Sequence, residues 1–154
     1  MASIGQTYLR GIEQIKSNEV TDALKSFQHA EKKFKADTDI TLKLAVLINI
    51  SECLYQIERE TEAIKYLDEI ITHFRSTEIP TIDRQLIEIE FTAYFNLAGI
   101  YFHQEDKIQE AYDLYDFFYK NLKRYNATSD IEISVAEHVG HQRQLCLNIL
   151  KEKQ

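Results

Sequence analysis

Proline occurs once, glycine four times and tryptophan not at all in the 154 residues. So few backbone breakers exclude a turn-rich β sandwich and a low-complexity tail, and they leave room for long helices. Only two cysteines are present, Cys53 and Cys146. Each sits in an apolar helical pattern without CxxC spacing, which argues against a disulfide framework and for small core residues in a reducing compartment. Basic side chains are outnumbered, 18 against 25 acidic, giving a formal charge of −7. A balance of that sign repels a phosphate backbone, so nucleic acid is not expected as a partner. No segment approaches about 18 uninterrupted apolar residues, and the start, Met1, Ala2, Ser3, has no basic patch followed by an apolar stretch. The expectation is a cytoplasmic chain without a membrane partner, in which the sequons at Asn49 and Asn126 carry no meaning. Gly-rich phosphate loops, GxSxG, HExxH and paired Cys ligand sets are missing too, so no enzyme activity and no cofactor are expected.

What is present is a helical pattern. Hydrophobic residues make up 44% and charged residues 28%, a globular composition long enough for one domain with its own core. Apolar residues recur at helical spacing: Ile4, Tyr8, Ile12 and Ile15, then, after the turn formers Ser17, Asn18 and Glu19, Ala23, Phe27, Ala30 and Phe34. Thr21 is a candidate cap for the second of these helices. The layout returns at Thr38 to Ile57 with Thr61 to Phe74, and at Thr81 to His103 with Ile108 to Tyr125. Pro80 separates the second pair from the third and leaves Thr81 as a candidate cap. A last helix over 129–152 starts on the capping-box spacing of Ser129 and Glu132, with an apolar stripe of Ile131, Val135, Val139, Cys146 and Ile149. About seven helices and no strand are predicted, in a single domain over 1–154 with hairpins at about 4–36, 38–75 and 81–125.

Repetition is the strongest signal. Ala23, Ala63 and Ala111, each near the start of a second helix, lie 40 and 48 residues apart. In the third hairpin Tyr94, Leu97, Ala98 and Tyr101 follow a large, Leu, small, Tyr order, and Ala111 precedes Tyr115 by four. The second hairpin has Leu47, Ile50, Ser51 and Leu54, then Ala63 and Leu67; the first keeps Gly11, Ala23, Phe27 and Ala30. Over residues 4 to 125 this resembles the tetratricopeptide repeat family, whose unit is about 34 residues. Departures are Arg10 in place of a usual Leu, a turn between Tyr101 and Ala111 one residue longer, and no hairpin ending in the family's Pro.

The resemblance implies an all-α right-handed superhelix of three antiparallel helix hairpins, capped by the C-terminal helix, with first helices lining a concave groove. Their non-core faces carry Tyr8, Leu9, Ile12 and Lys16; Ile48, Asn49, Glu52, Tyr55 and Gln56; and Phe95, Asn96, Gly99, Phe102 and His103. Asn49 and Asn96 occupy equivalent places, and asparagines so placed resemble those by which relatives hold a peptide backbone, since an amide both donates and accepts. The bland alternative is that they satisfy neighbouring helices or water. Tyr8, Ile12, Thr92 and Asn96 stand where some relatives carry a Lys and Arg carboxylate clamp, so no clamp is expected. The aromatic and aliphatic lining suits an apolar strand or an amphipathic helix, unless the last helix covers it.

The run Tyr112, Leu114, Tyr115, Phe117, Phe118, Tyr119 is apolar on nearly every side of a helix and needs cover on more than one face, from the C-terminal helix or a second subunit. The pair His138 and His141, with Glu137 and Cys146, is the one approach to a metal site, set against solvated histidines on a regular helix. Acidic runs such as Glu58, Glu60, Glu62 and Asp68, Glu69, interleaved with Arg59 and Lys65, read as a solvated face. The leading expectation is a non-catalytic interaction module, an adaptor or scaffold binding a peptide or partner protein. Its variants are a secretion-chaperone-like protein and a peptide-signal-receptor-like protein, and the competing class is a structural chain that self-associates as a homodimer.

Overall fold

A computed structural model describes residues 1–77, 83–122 and 133–154. Among them are seven α-helices, one 3-10 turn and no strand. The helices are α1 (Ile4–Lys16), α2 (Val20–Glu31), α3 (Ile40–Gln56), α4 (Glu60–Ser76), α5 (Arg84–Phe102), α6 (Ile108–Lys120) and α7 (Ile133–Glu152), with the 3-10 turn at Glu105–Lys107. The chain divides into two compact units, Met1–His73 and Phe74–Gln154.

Local chemistry explains where the helices start. Ser3 opens α1 with a capping box: its hydroxyl accepts from the Gln6 N–H at 3.1 Å, while Gln6 Oε1 accepts from the Ser3 N–H at 2.8 Å. Asp39 and Asp83 cap α3 and α5 by accepting from the N–H groups of Leu42 and Leu86, each at 3.1 Å. The expected cap at Thr21 is not used so. Helix α2 already begins at Val20, with Glu19 as its cap residue and no side-chain capping bond, so Thr21 lies inside the first turn. Thr81 lies outside the described residues, as do the Ser129 and Glu132 pair, Ile131 and Asn126; the capping bond of α5 comes from Asp83.

Two interhelical turns share one backbone device. Asn18 and Glu58 take left-handed φ values of 61° and 65°. The next N–H then reaches back to a carbonyl five residues earlier, Glu19 to Gln14 and Arg59 to Leu54, both at 2.8 Å. This is the closure in which a reversed residue lets the chain double back on a finished helix. The third turn is longer, as expected. After Phe102 the 3-10 turn intervenes before Ile108, and the cap residue His103 keeps a negative φ of −89°. Helix α6 ends at Lys120 instead of reaching Tyr125, because the Asn121 N–H folds back onto the Phe118 and Tyr119 carbonyls and closes the last turn.

In the first unit, Phe27 anchors a core with Ala23, Ala30, Val46, Ile50 and Leu54. A methyl group at Gly11 would meet the Phe27 ring at 2.5 Å, so only glycine allows that ring to lie on α1. In the second unit α6 packs between α5 and α7. The Tyr94 and Phe117 rings stack at 4.6 Å, and Phe91 meets Phe118 at 4.7 Å. On the other side, Arg143 of α7 lies over Tyr112 and Tyr119 at 5.5 and 5.1 Å and bonds Asp116 at 2.7 Å. Thus the aromatic run is covered on two faces, one of them by the C-terminal helix. Val139 and Cys146 of its stripe are fully buried.

The repeat positions named from the sequence behave alike within their hairpins. Ala23, Ala63 and Ala111 have no exposed surface. Gly11, Ser51 and Ala98, the small residues of the first helices, are all buried as well. Small side chains at those points let paired helices approach closely.

Candidate functional site

The first helices carry the non-core faces in question, and each unit is taken by itself. In the first unit, Tyr8 on α1 meets Asn49 on α3. The Tyr8 ring rests against Phe27 with centroids 5.8 Å apart. Burial pushes the Tyr8 phenol up, the nearby Asn49 side chain opposes this, and the Glu52 carboxylate raises it further. Asn49 also donates from Nδ2 to the Ala45 carbonyl of its own helix at 2.7 Å. Its amide therefore has a partner on its own helix, in line with the bland alternative drawn from the sequence.

Around this trio Ile12 is half-buried and Ile48 is buried, 7% exposed. Tyr55, two turns beyond Ile48 on α3, is 47% exposed, and Leu9 beside Tyr8 is 60% exposed. Large apolar side chains that open to solvent next to a polar pair are the usual makings of a contact surface.

In the second unit the corresponding residues lie on α5, with His103 as its C-terminal cap residue. Phe95 is half-buried between Phe91, at 5.7 Å, and His138 of α7, at 5.8 Å. So α7 reaches the edge of this face as well as covering α6. Phe102 is half-buried, and its ring meets the exposed His103 edge-on at 5.4 Å. Asn96 differs from Asn49. It is half-buried, and among the described residues no hydrogen-bond partner reaches its amide. One turn further on, a methyl group added at Gly99 would find nothing within 4 Å. An amide with uncommitted donors and acceptor thus stands beside open space, flanked by two phenylalanines.

Chemistry elsewhere is muted. His138 and His141 are exposed while Cys146 is buried, so the three point to different environments on α7. Among the described residues no group of three or more His, Cys, Asp and Glu converges as metal ligands would. Burial pushes both thiols up to about 11, with Glu52 adding to the effect at Cys53. Such thiols stay protonated near neutral pH and are poor nucleophiles. Among the described residues no helix is long and apolar enough to cross a membrane.

Sequence reasoning missed three features. The Ser3 and Gln6 capping box was visible as S-x-x-Q before an apolar run. A cleft bounded by α2, α3 and α4 had no linear signal, because its lining comes from three separated segments. The engagement of Asn49 but not Asn96 rests on a side-chain bond to the Ala45 carbonyl that no spacing announces. Comparison with protein-family models, with curated proteins and with solved structures finds no match for this chain.

Proposed function

We propose that the chain is a non-catalytic protein–protein interaction module, a tetratricopeptide-like repeat that binds a peptide or partner protein on the exposed faces of its first helices. The observation that carries this reading is the uncommitted amide of Asn96 beside the open space at Gly99, between Phe95 and Phe102. An extended backbone needs one donor and one acceptor at each amide it meets, which a primary amide supplies together. The neighbouring rings supply apolar area at small entropy cost. In the first unit, Leu9 on α1 and Tyr55 on α3 expose apolar surface of their own, and Asn49 is held by the Ala45 carbonyl.

The similarity of the buried small positions, Gly11, Ser51 and Ala98, supports the repeat reading. Its test uses Gly99. A Cβ there meets nothing within 4 Å, and a leucine replaces a mid-helix glycine, so the fold should tolerate the change. It would nonetheless fill the space a bound backbone needs. Partners retained on the immobilised wild-type chain from native extract should be lost on Gly99→Leu, and weakened by about 1–3 kcal/mol on Asn96→Ala. Undiminished retention by both variants, with helical content intact, would refute the reading.

A further inference from the structure

We propose that the cleft between α2, α3 and α4 is a receptor for one arginine side chain of a partner segment. This rests on the reading of the chain as a partner-binding module, and it adds a second contact with a defined chemistry. The cleft has a volume of about 210 Å³ and lies wholly within the first unit. Cofactor and drug-sized ligands occupy pockets of about 300–1,000 Å³, so this one suits a single protruding side chain.

Its lining selects which side chain. Phe34, Leu44 and Leu47 form an apolar wall, with Ile40 at the rim, 40% exposed. Glu31 of α2 and Glu69 of α4 add two carboxylates. A long apolar stem with a cationic, flat, multiply donating head satisfies both parts, because the stem covers the wall and the head meets the acids. Among the described residues neither carboxylate is ion-paired. Glu31 accepts from the Tyr66 hydroxyl at 3.0 Å, which fixes one oxygen and leaves the other open. The local field is negative: Glu31, Glu69 and Glu62 all act on the Tyr66 phenol, which burial in the first place and these charges together push up to about 12. Lys43 and His73 also line the cleft, and Lys43 repels a cation in part. A guanidinium, weakly hydrated and able to bond two carboxylates at once, tolerates that neighbour better than an ammonium would.

The test is a titration of the full chain with N-acetyl-Ala-Arg-Ala amide, following the methyl resonances of Ile40, Leu44 and Leu47. The expected result is saturable shifts in the low-millimolar range. The same peptide carrying citrulline, which is isosteric and uncharged, should bind about tenfold more weakly, as should the arginine peptide to Glu69→Gln. Glu69 is exposed, so that variant keeps the fold, and the citrulline arm needs no variant. Absence of saturable shifts, equal affinity for the two peptides, or unchanged affinity in Glu69→Gln overturns the proposal. No partner protein enters this titration, so its failure leaves the Asn96 and Gly99 reading standing, whereas refutation of that reading does not change its outcome.

Discussion

At Gly11 a missing Cβ decides how two helices meet. The Phe27 ring occupies the space where a methyl would go, at 2.5 Å, and Phe27 itself is fully buried. Gly11→Ala should therefore destabilise the chain by about 1–3 kcal/mol, against the usual gain from replacing a helical glycine. Urea unfolding would measure it, and a stabilised variant would show that the ring can move aside. Glu58 gives the opposite case. Its φ of 65° is costly for a side chain with a Cβ and free for glycine. Glu58→Gly should add about 1 kcal/mol, and Asn18→Gly less, since asparagine tolerates that conformation; both shifts are read in the same unfolding curves.

Among the elements, the contact of α6 with α7 is the one whose chemistry can be titrated. Burial alone would raise the Asp116 carboxyl, but hydrogen bonds from Lys120 and Arg143 outweigh it and hold the group below the usual range. A carboxyl depressed in the folded state stabilises it above the ordinary carboxyl pKa of about 4, and that contribution disappears as pH falls through the folded value. Asp116→Asn should thus be less stable than wild type above about pH 5, with the difference shrinking below about pH 4. Stability that differs equally at pH 3 and pH 7 would contradict the assignment. Arg143 also spans Tyr112 and Tyr119, so Arg143→Ala should cost about 1–2 kcal/mol, more than the loss of an exposed ion pair.

Helix existence and most core positions were legible in the sequence because helical periodicity follows burial directly. Ala23, Phe27, Ala63, Ala98 and Ala111 were read correctly as close-packed positions for that reason. Helix starts were less legible. Thr21 has the chemistry of a cap, yet the left-handed Asn18 already reverses the chain and sets α2 going two residues earlier. The same device at Glu58 has no composition signal, since glutamate seldom adopts it. Spacing assigns the candidate site residues to helix faces, but it does not say which amide is occupied, nor that Ile48 is buried. Asn49 is engaged by the Ala45 carbonyl one turn back, a rotamer choice that spacing does not reveal.

For the whole molecule the proposed function requires that the faces left over on the first helices, once the hairpins have buried their apolar flanks, bind a partner. Hydrogen–deuterium exchange with and without a partner retained from native extract tests this most directly. Added protection should fall on α1 over Tyr8 to Ile12, on α3 over Ile48 to Tyr55, and on α5 over Phe95 to His103. Unchanged exchange in all three stretches, with protection gained only on α2 or α6, would contradict this proposal.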